Sequence, residues 1–331
     1  MMVDVIAATA PALRLPLVGG GGEPVDLWRT IVSHGVASLP PMFVDEQGRR
    51  LTVTLPLVSG RPRTVRVSEG GRARARVEVT GKALGQRGSA ALLATLRRVL
   101  ALDQDLSSFY DAAAEDPDLK WVTEGAGRMV RSPTVFEDVV KTVCTTNCSW
   151  ALTEKMVGAL VEHLGERAAG APATGTEGRA FPTPEAMAKA GIDFYREVVR
   201  AGYRGPYLQA LARSVYSGEV DLEELAEAPV DEIPDDEVER RLLALPGVGP
   251  YAAAHVMMII GRPSRIILDS WTRPTYARSV GKRKVSDEAI ARRFRRYGRF
   301  AGLAFWLFIT QDWVEDAVPP PAEAVTGEAP S

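Results

Sequence analysis

The stretch that decides the reading is Leu245-Pro246-Gly247-Val248-Gly249, with a polar segment before it and the apolar run Tyr251–Ile260 after it. Glu237–Leu243 reads as one helix and Tyr251–Ile260 as the next, so the five residues between them form a tight helical hairpin. Two glycines supply the positive-φ backbone that so short a turn needs. Such a turn aims successive N–H groups outward at the start of the second helix, where the helix dipole adds to them, and this makes an anion site suited to a phosphate. An ordinary corner between two helices reads the same way. The residues beyond the second helix narrow the choice: Gly261-Arg262-Pro263, a strand-like Ile266-Ile267-Leu268, then Asp269-Ser270-Trp271-Thr272-Arg273.

Outward from this stretch, the first part of the chain has a different period. Residues 51–57 (LTVTLPL), 61–67 (RPRTVRV) and 72–79 (RARARVEV) alternate as strands, with Ser59-Gly60 and Glu69-Gly70-Gly71 as turns between them. A short amphipathic helix at about 26–33 precedes this antiparallel meander. From about residue 90 the period becomes helical. Ser132-Pro133 reads as a helix start, Ser as cap and Pro in the first turn. A further helix ends at Gly165, 168–176 (AAGAPATGT) reads as a surface loop, and Thr183-Pro184 opens the next helix. Residues 202–206 read as a turn before a helix at 207–216. The expected class is α+β. Residues 1–20 form a leading segment, 21–89 a small domain with an antiparallel sheet, 90–316 an all-helical domain, and 317–331 a Pro/Ala/Glu tail unable to build a core.

Bulk properties exclude several classes. Of 331 residues, 46% are hydrophobic and 25% charged, enough for one large core or two moderate ones. Residues 1–18 lack a basic leader and no run of about 18 apolar residues occurs, so a cytoplasmic protein is expected. Cys144 and Cys148 are too few for an iron-sulfur cluster and read as packing residues. The net charge is −2, yet Lys282, Arg283, Lys284, Arg292, Arg293, Arg295, Arg296 and Arg299 crowd into one stretch. That run is either a solvated helix face or one positive side on a near-neutral protein.

The order of hairpin, apolar run and carboxylate resembles the helix-hairpin-helix DNA glycosylases, and most of all their 3-methyladenine and 8-oxoguanine branches. The resemblance covers roughly residues 116–313. It implies that Leu245, Pro246, Gly247, Val248 and Gly249 bind a DNA phosphate, with a monovalent cation at the hairpin carbonyls. Asp269, eighteen residues after Tyr251, is the implied catalytic carboxylate; an Asp there also reads as a helix cap. The loop at Asn147 resembles the one that enters the duplex, while Tyr251, Trp271, Phe305 and Trp150 are candidates for the base pocket. Phe305 stands where 8-oxoguanine enzymes place a base-reading glutamine. Lys282, Arg283, Lys284 and Arg273 are candidate DNA-facing cations. Bifunctional members carry a lysine where this chain has Tyr251, which implies a monofunctional enzyme working on double-stranded DNA as a monomer, without cofactor. A glycosylase/lyase and a non-catalytic damage-binding module are the alternatives, and the damaged base itself is not readable.

Overall fold

A computed structural model describes residues 11–57 and 60–315; the expected tail at 317–331 and the first ten residues lie outside that range. Five strands, β1 (Leu13–Pro16), β2 (Met42–Asp45), β3 (Arg50–Leu55), β4 (Arg63–Glu69) and β5 (Arg74–Val79), form one antiparallel sheet in the order β1-β5-β4-β3-β2. The meander β3-β4-β5 follows the alternation in sequence: Leu51, Val53, Val65, Val67, Ala75 and Val77 all turn inward and are fully buried. β1 and β2 are edges that alternation did not reveal. Each is four residues long, and β1 pairs with β5 across some sixty residues of chain (Leu13 with Val77, Leu15 with Ala75). Short helix α1 (Leu27–Ile31), capped by Asp26, and α2 (Gln86–Val99) close the sheet's apolar face through Trp28, Ile31, Leu92, Leu96 and Val99.

The rest is helical: α3 (Ser107–Ala114), α4 (Val135–Thr145), α5 (Trp150–Leu164), α6 (Pro184–Lys189), α7 (Arg204–Tyr216), α8 (Glu224–Glu227), α9 (Asp235–Leu243), α10 (Pro250–Ile259), α11 (Thr272–Ser279), α12 (Asp287–Phe294), α13 (Ala301–Ile309) and α14 (Gln311–Glu315). Three apolar cores share α10, the sheet-domain core through Ile259 at its end. Ala252, Ala253, Val256 and Met257 pack with α4, α5 and α7, while Ala254 and Met258 pack with α3, α12 and α13. A helix buried all round shows no amphipathic period, which is how α10 reads in sequence. Among the described residues no helix is long and apolar enough to cross a membrane.

Several boundaries differ from expectation for local reasons. α4 is capped by Thr134, whose hydroxyl accepts from Glu137 N at 3.2 Å, rather than by Ser132. Ser132 N instead donates to buried Asp138 at 2.9 Å. α7 begins at Arg204, with Pro206 in its first turn where a missing N–H costs nothing. The loop at 168–176 is stapled: Arg179 donates to the carbonyls of Gly165, Ala173 and Gly175. Residues 266–268 join no sheet.

The hairpin joins α9 to α10. Leu245 and Val248 turn into the core, and Val248 N donates back to Leu245 O at 3.2 Å. Gly247 has φ +80, and a Cβ there would stand 3.0 Å from the Tyr207 ring. Gly249, at φ −100 and ψ −177, is extended, and a Cβ there meets nothing within 4 Å. Only one of the two glycines is therefore demanded by the backbone, a correction to the sequence reading. Gly247→Ala is expected to lose about 1–2 kcal/mol from the left-handed backbone alone, and Gly249→Ala to unfold like wild type. Denaturant midpoints of the two variants check this, and equal midpoints would contradict it.

Candidate active site

Asp269 lines a cavity of about 280 Å³ walled by residues of the sheet domain and of the helices. Its carboxylate is held by the next residues of the chain: Oδ1 accepts from Trp271 N at 2.8 Å and Thr272 N at 2.6 Å, and Asp269 N donates to Thr272 Oγ1 at 2.9 Å. This reciprocal arrangement caps α11, which begins at Thr272 rather than Ser270. The capping role and a chemical role use different atoms: Oδ1 takes both amides, and Oδ2 makes no hydrogen bond among the described residues.

Aromatic rings wall the cavity. Trp150, Tyr251, Trp271, Trp306 and Trp313 line it. Trp271 leans on Trp313 and Trp306 with centroids 5.2 and 6.0 Å away. Trp150 is 42% exposed and closes over Gly35, where a Cβ would come within 2.9 Å of its ring. Burial pushes the Tyr251 phenol above its ordinary range, partly offset by a hydrogen bond with Thr145. Phe305 does not belong here. It is fully buried among Tyr276 and Phe294, and its neighbour Trp306 faces the cavity instead. The two side chains leave α13 about 100° apart, and a helix reading AGLAFWLFI has no polar face to tell which one looks inward.

Three basic wall residues were not anticipated. His34, from the segment after α1, places Nε2 3.3 Å from His255 Nδ1 on α10. Burial holds both imidazoles neutral, lowering His34 to about 3, with His255 adding to the effect, and His255 to about 4, though part of the His34 ring still touches the cavity. Lys141 of α4 is fully buried on the same wall, its Nζ 2.6 Å from Glu137 Oε1 and near Ser132 Oγ and Leu39 O. Burial raises the Glu137 carboxyl, and the Lys141 charge opposes that rise. A His at 34 and a Lys at 141 carry no local signal, since only the tertiary fold brings them to Asp269.

A wider groove joins Asp269 to the hairpin. Thr145, Thr146, Asn147, Tyr203, Gly247, Gly249, Tyr251 and Ser270 line it. Asn147 sits at the tip of the α4–α5 loop with φ +47 and donates from Nδ2 to the Tyr203 hydroxyl at 3.3 Å. Tyr203, 54% exposed, is a further groove residue, which the sequence marked only as part of the turn and stretch leading to the hairpin. The loop is fastened from beneath by Arg204, whose guanidinium donates to the Thr146 carbonyl.

The basic run divides. Lys282, Arg283 and Lys284 are exposed between α11 and α12 and make no ion pair among the described residues. Arg273 is bound through two hydrogen bonds to Asp287. Arg293 and Arg296 are drawn back onto Asp116, so the run does not present a single positive face. Cys144 and Cys148 are both free, and burial pushes the Cys144 thiol up to about 12.

No family model matches the chain. A DNA-3-methyladenine glycosylase of Bacillus subtilis (strain 168) is 26% identical over 159 residues, 47% of this chain and 50% of that protein. The chain thus spans about half the length of that curated relative. A 3-methyladenine DNA-glycosylase from Archaeoglobus fulgidus superposes with a TM-score of 0.67 at 23% identity, covering 91% of this chain and 99% of the other. The apo 8-oxoguanine glycosylase/lyase of Clostridium acetobutylicum gives 0.67 at 19% identity, covering 92% and 99%. Each superposition takes in more than nine-tenths of this chain, and the chain shares the fold of these two glycosylases.

Proposed function

We propose that the protein is a base-excision DNA glycosylase that hydrolyses the N-glycosidic bond of a flipped, alkylated base. The observation that carries this reading is Asp269: a rigidly held carboxylate with one free oxygen, between an aromatic cavity and a groove that runs to the hairpin. The extruded base would enter the cavity, and the aromatic faces favour a ring that alkylation has made electron-poor or cationic. Asn147 would fill the vacated stack, where extrusion costs a few kcal/mol. As the C1′–N bond breaks, its electron pair leaves with the base, and Asp269 Oδ2 stabilises the cation growing on the sugar. Water then adds at C1′ and its proton passes to the carboxylate, leaving an abasic site.

The hairpin would hold a phosphate at the first turn of α10, where helix N–H groups lack i−4 partners. Open space at Gly249 lets a backbone phosphate come close. Leu245 O already accepts from Val248 N, so a monovalent cation at the hairpin would use that oxygen's remaining lone pair. Lys282, Arg283 and Lys284 would add salt-sensitive attraction.

Hydrolysis without strand cleavage is part of the same proposal. A lyase needs an amine free to attack C1′, and Tyr251 stands where the resemblance places one. Among the described residues, Lys141 is the amine on the cavity wall, and Glu137 engages it. The purified protein is therefore expected to leave intact abasic sites and to form no covalent adduct with DNA under borohydride. A strong adduct, lost in Lys141→Ala, would make the protein a glycosylase/lyase.

Asp269→Asn tests the carboxylate while sparing the cap, because an amide oxygen still accepts from Trp271 and Thr272. Single-turnover base release is expected to fall at least about 100-fold, with duplex affinity within about threefold of wild type. Near wild-type release by the folded variant would remove Asp269 from the chemistry. Gly249→Ala is expected to weaken binding to every duplex, damaged or not, because phosphate contacts position the protein without reading sequence. Loss confined to one lesion would place the hairpin in base recognition instead.

A further inference from the structure

His34 and His255 form a short chain of hydrogen bonds whose direction can be deduced. Val36 N–H donates to His34 Nδ1 at 3.3 Å, so that nitrogen carries no proton. A neutral His34 must then carry its proton on Nε2. From there it donates to His255 Nδ1, 3.3 Å away. His255, neutral in turn, is left with its own proton on Nε2, and Nε2 makes no hydrogen bond among the described residues. His255 is 7% exposed, and the surface it keeps lines the cavity. A backbone amide in the sheet domain thus dictates that the cavity wall presents an N–H donor.

The surroundings keep this arrangement rigid. Ser33 O accepts from Trp306 Nε1 at 3.1 Å, and Ser33 Oγ accepts from Val130 N at 2.9 Å, which fixes the segment that carries His34. The His255 ring packs edge-on against Tyr251, centroids 4.5 Å apart, and against Trp306 at 5.8 Å. The other titratable groups on this wall are Lys141 with its partner Glu137, Cys148, Tyr251 and Asp269, and none hydrogen bonds to either imidazole. Among the described residues no internal acceptor competes for the His255 proton.

We propose that His255 selects the base: it donates from Nε2 to a ring nitrogen or carbonyl oxygen on the inner edge of the extruded base, and His34 is the positioning residue that sets its tautomer. The proposal rests on the glycosylase reading. The substrate class is narrowed to damaged bases that show a lone pair at that edge. A base presenting N–H there would set two donors against each other in a dry site, and such mismatches are discriminated strongly.

The test has two independent arms. The chain has three histidines, so ¹⁵N-histidine long-range correlation spectra resolve every imidazole. At neutral pH, His34 and His255 are expected as pure Nε2–H tautomers, with exposed His163 as the reference imidazole. In the second arm, duplex DNA methylated with dimethyl sulfate is the probe, and released 3-methyladenine and 7-methylguanine are scored separately. His255→Phe keeps the ring contacts but removes the donor, and is expected to slow release of the favoured base about 10- to 100-fold without changing affinity for unmodified duplex. His255→Gln, which retains a donor, is expected to recover most of that loss, and His34→Phe to mix the tautomers of His255 while His34→Gln preserves them. A proton on His255 Nδ1, or release by a folded His255→Phe within twofold of wild type, would overturn the proposal. Release of neither base by the wild-type protein would instead refute the alkylated-base reading and remove the base as the acceptor, while the tautomer signals decide the histidine relay on their own.

Discussion

Ser33 is the point at which the sheet domain and the helical domain are made into one site. Its carbonyl takes the indole N–H of Trp306, its hydroxyl accepts from Val130 N, and the same hydroxyl donates to Thr30 O at 2.7 Å. The residue is buried, so each bond is made away from competing water and each lost partner would leave a polar group unsatisfied. A second tie lies nearby, where fully buried Arg128 donates to Glu23 and to the carbonyls of Ala101 and Gln104. Breaking a buried pair of this kind is far costlier than never having made it. The cavity keeps its shape because its two sides cannot slide past each other.

What the sequence made legible was local. The hairpin, the length of α10, the distance to Asp269 and the meander β3-β4-β5 all derive from periods and turn residues within a few dozen positions. Asp269 was singled out by the resemblance, whose eighteen-residue spacing from Tyr251 lies within one continuous segment. Edges β1 and β2 were missed because four residues hold too little alternation, and their identity as strands comes from pairing across the fold.

The aromatic cavity was legible only in part, for the same reason. Tyr251, Trp271 and Trp150 lie close in sequence to the hairpin, to Asp269 or to the α4–α5 loop, and they do line the cavity. Phe305 was the wrong neighbour by a single position on an all-apolar helix. His34 and Lys141 come from segments 235 and 128 residues before Asp269, and no short-range rule connects them. Charge patterning misled in a related way. Arg293 and Arg296 look like part of a basic face until the fold brings Asp116 beside them.

The contribution of His34 gives the sheet domain a meaning beyond support. A wall of the cavity is supplied by the segment between α1 and β2, whereas Asp269 and the hairpin belong to the helical part of the chain. On the proposed function, bond breaking and backbone grip reside in one unit, while part of the lining that would meet the base resides in another. On that reading, substitutions in that segment would retune which lesion is accepted without disturbing the carboxylate, and the architecture would separate the evolution of what is removed from the evolution of how it is removed.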